Sequence, residues 1–193
     1  MNDADIKRIP PLLEAIERDT EQIGFKMGSE RRTGSLLRTL AATKPAGRIL
    51  ELGTGTGIGT AWLLAGMDAQ SKLDSVDNDA QVLEITKRHL GHDSRVTFHH
   101  VDGGQFLTEA NTQYDLIFAD AWVGKYNHLE EALALLRVGG IYVIDDLLPQ
   151  PNWPADHAPK VPALINDLER RDKFVVTKLD WASGLMIVVR SAL

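Results

Sequence analysis

The sequence contains no cysteine among its 193 residues. This excludes disulfide bonds, thiolate catalysis and cysteine-ligated zinc or iron–sulfur centres. No apolar run approaches the ~20 residues that a membrane-spanning helix needs. The N-terminal stretch "MNDADIKRIPPLLEAIERD" also lacks the basic start and apolar core of a secretory signal. We therefore expect a cytoplasmic protein that does not associate with a membrane.

Positive charge is also in short supply. Lysine and arginine number 21 against 27 aspartate and glutamate residues, which gives a formal net charge of -6 at pH 7. A general nucleic-acid binder usually carries a basic face, so this balance argues against that function class. Hydrophobic residues make up 44% of the chain, and its length suits one α/β domain with a buried core.

Short β-like runs alternate with helical segments from Arg48 onward. Strands are predicted at 48–52, 73–77, 95–101, 114–120 and 141–145, and helices at 57–66, 80–90 and 128–140. Such alternation implies a parallel sheet with helices on both of its faces. The predicted strands are nearly continuous apolar runs, as a sheet that is covered on both faces requires.

The two ends of the chain differ from this middle part. Two β runs at 173–179 and 184–189 leave no room for a helix between them and should form an antiparallel hairpin. Residues 1–45 are predicted to be a helical cap over the carboxyl edge of the sheet, where ligands bind in such folds. Residues 46–193 form the predicted main domain, packed with the cap into one unit.

The stretch "RILELGTGTGIGTAWLLAG" holds five glycines between a predicted strand and a predicted helix. A dinucleotide-binding turn needs glycines at its first, third and sixth positions. Read from Gly53, the sixth position is Ile58, and the other registers fail in the same way. No Gly-Lys-Ser/Thr follows, so the turn is not a P-loop either.

An acidic residue and alternate glycines, at Glu51, Gly53, Gly55 and Gly57, make the pattern acidic-x-Gly-x-Gly-x-Gly. This pattern resembles motif I of the class I S-adenosylmethionine-dependent methyltransferases. Glycines there let the backbone pass close to a bulky nucleoside. The resemblance implies a Rossmann-like, doubly wound sheet of seven strands, mostly parallel, with an antiparallel C-terminal hairpin.

Acidic residues follow the predicted strands at the positions that this family uses. Asp77 ends the second strand, where an acid can accept both ribose hydroxyls, while Asp79 is better placed to cap the next helix. The resemblance implies that Asp102, after the third strand, meets the adenine amine. It implies S-adenosylmethionine as the cofactor, and the residues expected to bind it are Met27, Glu51, Gly53, Thr54, Gly55, Asp77, Asn78, Asp102, Gly103 and Asp120.

The segment "FADAWVGKY" after the fourth strand has no Asn/Asp-Pro-Pro-Tyr/Phe, so the chain does not resemble the enzymes that methylate amino groups of nucleic-acid bases. The layout is similar to the catechol and caffeoyl-CoA O-methyltransferase group. Asp120 with Tyr126 six positions later, Asp145-Asp146 after the fifth strand, and "MGSERRTGSLL" from Met27 carry this resemblance.

In that group the positions of Asp120, Asp145 and Asp146 bind a divalent metal, and oxygen ligands suit Mg²⁺ or a similar cation. The resemblance thus implies a possible metal site on these three carboxylates. Two positions depart from the group: Asp146 replaces an asparagine, and Val123 stands where the group has a lysine. Lys125 would substitute for that lysine if the loop is rearranged.

The catalytic residues expected from the sequence are Asp120 and Lys125. Without a metal, either Asp120 or His128 would act as the general base. The stretch "DDLLPQPNWPADHAPK" is predicted to be a shaped loop over the site. His157 within it is a candidate base or substrate contact, but we expect a solvated loop histidine.

Four aromatic side chains fall in predicted loops near the same side. Trp122, Tyr126, Trp153 and Trp181 either form the wall of an aromatic or apolar acceptor site or pack on neighbouring elements. We expect O-methylation of a small hydroxylated acceptor, with aromatic acceptors as one option. Methylation of RNA or protein, and a non-catalytic S-adenosylmethionine-binding module, stay open as alternatives. The resemblance also leaves open a homodimer formed through the N-terminal helices.

Overall fold

The computed structural model describes residues 2–151 and 153–192. Its strands are β1 Arg48–Leu52, β2 Lys72–Asp77, β3 Val96–His100, β4 Tyr114–Ala119, β5 Leu136–Ile144, β6 Phe174–Leu179 and β7 Leu185–Arg190. Its helices are α1 Leu13–Gln22, α2 Arg31–Ala42, α3 Ile58–Gly66, α4 Ala80–Leu90, α5 Gly103–Glu109, α6 Leu129–Ala134 and α7 Lys160–Glu169. None of these helices has the length and apolar character needed to cross a membrane.

The described strands form one sheet in the order β3-β2-β1-β4-β5-β7-β6. Neighbouring strands from β3 to β5 are parallel, whereas β7 is antiparallel to both β5 and β6. This is the mostly parallel, seven-stranded sheet with a C-terminal antiparallel hairpin that the sequence predicts, and that prediction is confirmed.

Alternate residues of the central strands fill two separate cores, one on each face of the sheet. On β4, Leu116 and Phe118 belong to one buried cluster, while Ile117 and Ala119 belong to the other. Successive side chains of a strand point to opposite faces, so an uninterrupted apolar run is buried on both. Full burial of each large side chain contributes about 2 kcal/mol.

The helix predicted at 128–140 is longer than the helix observed. α6 ends at Ala134, and Leu136 already pairs with Tyr114 of β4. The register between β4 and β5 then shifts, and the extra residues are accommodated at Gly139, whose φ is 76°. Gly139 therefore permits an irregularity inside a strand, at a position where the sequence predicts the end of a helix.

The N-terminal helices pack against α3 and α4. α2 lies so close to α3 that a side chain at Gly34 would overlap the buried indole of Trp62. Leu13 of α1 and Leu37 of α2 join the same apolar cluster as Trp62. Residues 25–30, which connect α1 to α2, pass over the carboxyl end of the sheet. The boundary between a cap at 1–45 and a domain at 46–193 stays a prediction.

Candidate active site

A cavity of ≈ 700 Å³ lies at the carboxyl ends of the parallel strands. Its wall comes from the segment between α1 and α2 and from the loops after β1, β2, β4 and β5. The predicted site residues in this wall are Met27, Gly53, Thr54, Gly55, Asp77, Asn78, Asp120, Lys125, Asp145 and Asp146. The position agrees with the rule that open α/β sheets bind ligands outside the carboxyl ends of their strands.

The glycine turn after β1 needs glycine for its backbone. Gly53, Gly55 and Gly57 have φ values of 96°, 53° and 92°, a region that other residues rarely adopt. A side chain at Gly53 would also lie 2.8 Å from the Asp120 carbonyl oxygen. The turn therefore passes directly against the end of β4 and leaves this part of the cavity wall free of side chains.

Asp77 is fixed beside the glycine turn by backbone donors. Its Oδ2 accepts a 2.8 Å hydrogen bond from the Gly55 N–H, and its Oδ1 accepts one of 2.9 Å from the Asp79 N–H. Asp79 itself caps α4 by accepting from the Gln81 N–H, as predicted. Each carboxylate oxygen of Asp77 keeps acceptor capacity for a ligand hydroxyl.

Glu51 lies behind the glycine turn, outside the residues that line the cavity. The hydroxyls of Thr60 and Ser75 donate to its Oε2 at 2.5 and 2.6 Å. Its side chain is fully buried, and this burial raises the pKa of Glu51 to about 7. Glu51 thus supports the turn from behind, and its predicted contact with the cofactor stays a prediction.

Asp102 and Gly103 also fall outside the lining residues. Asp102 caps α5 by accepting a 3.0 Å hydrogen bond from the Gln105 N–H. A side chain at Gly103 would lie 2.6 Å from Val123. The predicted contact of Asp102 with adenine stays a prediction.

Two aspartates lie at the same edge of the sheet: the half-buried Asp120 follows β4, and the buried Asp145 follows β5. The Asp120 N–H donates to the Leu52 carbonyl, and the Asp145 N–H donates to the Ala119 carbonyl, which continues the sheet to these positions. Desolvation and the charge of Asp145 raise the pKa of Asp120 well above its usual range. Burial raises the pKa of Asp145 to about 6.

The loop after β4 directs Lys125 into the cavity and Val123 towards Gly103. Gly124 makes this possible with a φ of 81°, and the Tyr142 hydroxyl donates to its carbonyl at 2.6 Å. Lys125 is 3% exposed, and its Nζ donates a 3.0 Å hydrogen bond to the Asp145 carbonyl. Lys125 thus reaches the cavity, and its substitution for the missing lysine stays a prediction.

The proline-rich loop brings aromatic rings to the acceptor side of the cavity. Trp153 stacks on His157 with ring centres 4.0 Å apart, and Trp122 meets His157 edge-on. His157 is 2% exposed and forms a 2.9 Å hydrogen bond with the Tyr126 hydroxyl. The expectation of a solvated histidine is thus wrong, and burial lowers the pKa of His157.

Two candidates from the sequence lie away from this cavity. Trp181 donates a hydrogen bond to Asp3 and is not among the lining residues. His128 has a left-handed backbone before α6 and lines a separate cavity of ≈ 430 Å³. It is therefore not positioned as the base of the main cavity. Ser29 and Ser183 also line the main cavity. Ser29 lies in the segment from Met27 that carries the resemblance, whereas no local sequence signal marks Ser183.

The three predicted metal ligands do not form a metal site. No group of three His, Asp or Glu side chains within 2–151 and 153–192 is placed to hold a metal ion. Both oxygens of Asp146 accept from the Trp153 indole N–H at 2.8 Å, and Asp145 Oδ1 accepts from the Ser183 hydroxyl. These carboxylates already accept hydrogen bonds inside the protein, and Asp120 Oδ2 accepts one from Ser29.

A doubly wound sheet with a glycine-rich turn after β1 and an acid after β2 is typical of domains that bind a cofactor with an adenosine group. A family model described as a methyltransferase domain matches residues 50–147. The chain belongs to this family, which confirms the methyltransferase class predicted from the sequence.

Solved O-methyltransferases share this fold over almost their whole length. TomG from Streptomyces achromogenes, involved in tomaymycin synthesis and solved with S-adenosylmethionine, has a TM-score of 0.84 at 19% identity, with 98% of this chain and 94% of that chain covered. An O-methyltransferase from Bacillus cereus, solved with S-adenosylhomocysteine, has a TM-score of 0.82 at 19% identity, with 97% and 94% covered.

A curated protein of Mycobacterium ulcerans (strain Agy99) carries a provisional O-methyltransferase name. It is 32% identical over 117 residues, which are 58% of this chain and 52% of the relative. The chain thus spans about half the length of these curated relatives.

Proposed function

We propose that this chain transfers the methyl group of S-adenosylmethionine to a hydroxyl oxygen of a small acceptor. The observation that carries the proposal is one continuous cavity. It joins the glycine turn and Asp77 at one end to Asp120, Lys125 and the aromatic rings at the other. Its volume of ≈ 700 Å³ is in the range typical of small-molecule sites.

The donor end suits an adenosine compound with a positive charge. Gly53 and Gly55 leave the wall free of side chains, and Asp77 offers acceptor positions for ribose hydroxyls. Met27 is 68% exposed at the edge of the cavity, where it can cover a ligand. S-adenosylmethionine, when bound, supplies an electrophilic methyl group on a sulfonium, whose charge the neighbouring carboxylates complement.

The acceptor end holds a base and a cation. The Ser29 hydroxyl occupies Asp120 Oδ2 at 2.7 Å, so Oδ1 is left to take the proton of an acceptor hydroxyl. The raised pKa of Asp120 makes its carboxylate a stronger base than that of an exposed aspartate. A nearby sulfonium favours the ionised form of Asp120. Lys125 stabilises the negative charge that develops on the acceptor oxygen.

The rings of Trp122, Trp153 and His157 favour an aromatic acceptor. Trp153 and His157 form a stacked pair at the cavity wall, and a planar ligand can continue such a stack. The cytoplasmic location, the homodimer and the lack of general nucleic-acid binding stay predictions.

The test is methyl transfer from labelled S-adenosylmethionine to a panel of phenols, catechols and aliphatic alcohols, with RNA and protein as further acceptors. We expect phenolic or catecholic acceptors to be methylated, and Asp120→Asn and Lys125→Met each to lower kcat about 100-fold. Lys72→Met is the matched control for Lys125, because its Nζ also donates to a backbone carbonyl, that of Ser94, but at an exposed position.

Two other outcomes would each support one of the alternative functions, and a third would contradict the role of Asp120. Tight cofactor binding without methylation of any acceptor would support a non-catalytic binding module. Methylation of RNA or protein alone would support a macromolecular acceptor. Full activity of Asp120→Asn would contradict the assigned base.

A further inference from the structure

We propose that the Lys125 ammonium is the resident cation of the acceptor half of the cavity, and that it does there what a divalent metal does in other O-methyltransferases. The inference rests on the proposed function and deepens it. Lys125 shares the cavity wall with Asp120, Asp145 and Asp146. It is 3% exposed, and its Nζ is hydrogen-bonded to the Asp145 carbonyl at 3.0 Å.

Several carboxylate oxygens beside Lys125 already accept hydrogen bonds. Asp145 Oδ1 accepts from the Asp146 N–H at 2.7 Å and from the Ser183 hydroxyl. Both oxygens of Asp146 are held by the Trp153 indole, and Asp120 Oδ2 by Ser29. Mg²⁺ requires oxygen ligands directed at one point in near-octahedral geometry. Turning these carboxylates towards one metal ion would compete with these hydrogen bonds, including those from the Trp153 indole to Asp146.

The positive charge of Lys125 also argues against a metal ion at this site. A buried ammonium needs nearby negative charge or hydrogen-bond acceptors, and the Asp145 carbonyl with the surrounding aspartates provides both. A divalent cation bound to the same aspartates would be repelled by Lys125 at short range in a site of low dielectric constant. One cation therefore excludes the other.

The backbone of the loop after β4 fixes the position of Lys125. Gly124 has a φ of 81°, its N–H donates to the Asn127 carbonyl at 2.8 Å, and its carbonyl accepts from Tyr142. A side chain at Gly124 would lie 2.7 Å from Leu52. The inward direction of Lys125 is thus built into the loop.

This arrangement has a consequence for the substrate. A metal ion can bind two neighbouring hydroxyl oxygens at once, whereas an ammonium needs only one acceptor atom. The chain should therefore accept aromatic acceptors with a single hydroxyl as well as catechols.

The experiment measures binding of Mn²⁺ alone by electron paramagnetic resonance, and acceptor methylation with and without EDTA. In the wild type we expect no saturable Mn²⁺ binding, and activity with phenol and catechol acceptors that EDTA changes less than twofold. Lys125→Ala should gain saturable Mn²⁺ binding, because the acidic centre loses its cation. Lys125→Arg keeps a cation at the same position, and Lys72→Ala leaves Lys125 in place. Neither variant should therefore gain Mn²⁺ binding.

Saturable Mn²⁺ binding by the wild type, or no gain in Lys125→Ala, would overturn the inference. Activity lost with EDTA and restored by Mg²⁺ would also overturn it. Circular dichroism and thermal unfolding verify that each variant is folded, and Lys125→Met replaces Lys125→Ala if the latter is not. Failure of the proposed function is distinguishable, since it appears as no methylation with or without Mg²⁺ and does not affect the binding measurement.

Discussion

The hydroxyl of Ser29 donates a 2.7 Å hydrogen bond to Oδ2 of Asp120, 91 positions later in the chain. This bond joins the segment between α1 and α2 to the end of β4. It also fixes Oδ2 of Asp120, the proposed base, and thereby sets the orientation of the other carboxylate oxygen.

Ser29→Ala should therefore lower kcat while leaving the fold intact. A hydrogen bond to a charged group is worth about 1.5–3 kcal/mol, so we expect a loss of roughly 10- to 100-fold in kcat with a small change in the KM of the acceptor. Steady-state kinetics with a phenolic acceptor measure this. Ser94→Ala, at an exposed position before β3, should retain wild-type kcat; an equal loss in both variants would contradict the role of Ser29.

Glu51→Gln should change how stability depends on pH. Burial raises the pKa of Glu51 from 4.5 to about 7 in the folded state, so the folded chain binds a proton more tightly than the unfolded chain. The free energy of unfolding of the wild type then falls as the pH rises from about 4.5 to about 7. At 1.36 kcal/mol for each pKa unit, this amounts to about 3 kcal/mol.

In Glu51→Gln this decrease should disappear, because the amide does not titrate. Urea unfolding at a series of pH values, without cofactor, measures the difference. Asp172→Asn, at an exposed position, is the control and should keep the wild-type slope. A Glu51→Gln curve parallel to the wild type would show that folding does not raise the pKa of Glu51.

Asp77 and Asp79 form a pair whose roles should separate in experiment. Asp77→Asn should raise the Kd for S-adenosylmethionine about tenfold or more, because a charged acceptor for the ribose is lost. Asp79→Ala should lower the free energy of unfolding by about 1 kcal/mol through loss of the α4 cap, with the Kd nearly unchanged. Calorimetric titration and chemical unfolding test both, and the reverse pattern would disprove the assignment.

Trp153→Leu should act on the acceptor and not on the donor. It removes the ring that stacks on His157 and the indole N–H that holds Asp146. We expect the KM of an aromatic acceptor to rise about tenfold, the scale of a lost aromatic pair, and the Kd of S-adenosylmethionine to stay within twofold. Trp181→Leu is the matched control, because Trp181 contacts Asp3 away from the cavity lining. Equal effects in the two variants would count against this acceptor wall.

The sequence by itself determined the parts of this protein that depend on neighbouring residues. Strand positions followed from apolar runs, the α4 cap from Asp79, and the glycine turn after β1 from alternate glycines such as Gly53. The hairpin followed from two β runs too close for a helix. These signals are local because backbone conformation and side-chain alternation repeat over a few residues.

Only the tertiary structure decided which side chains meet in the cavity. Val123 occupies the position at which the resemblance expects a lysine, yet the left-handed Gly124 turns Lys125 inward. His157 is buried because the proline loop packs it between Trp153 and Trp122. Such contacts join positions far apart in the chain, so their geometry depends on how whole elements pack, and no local spacing encodes it.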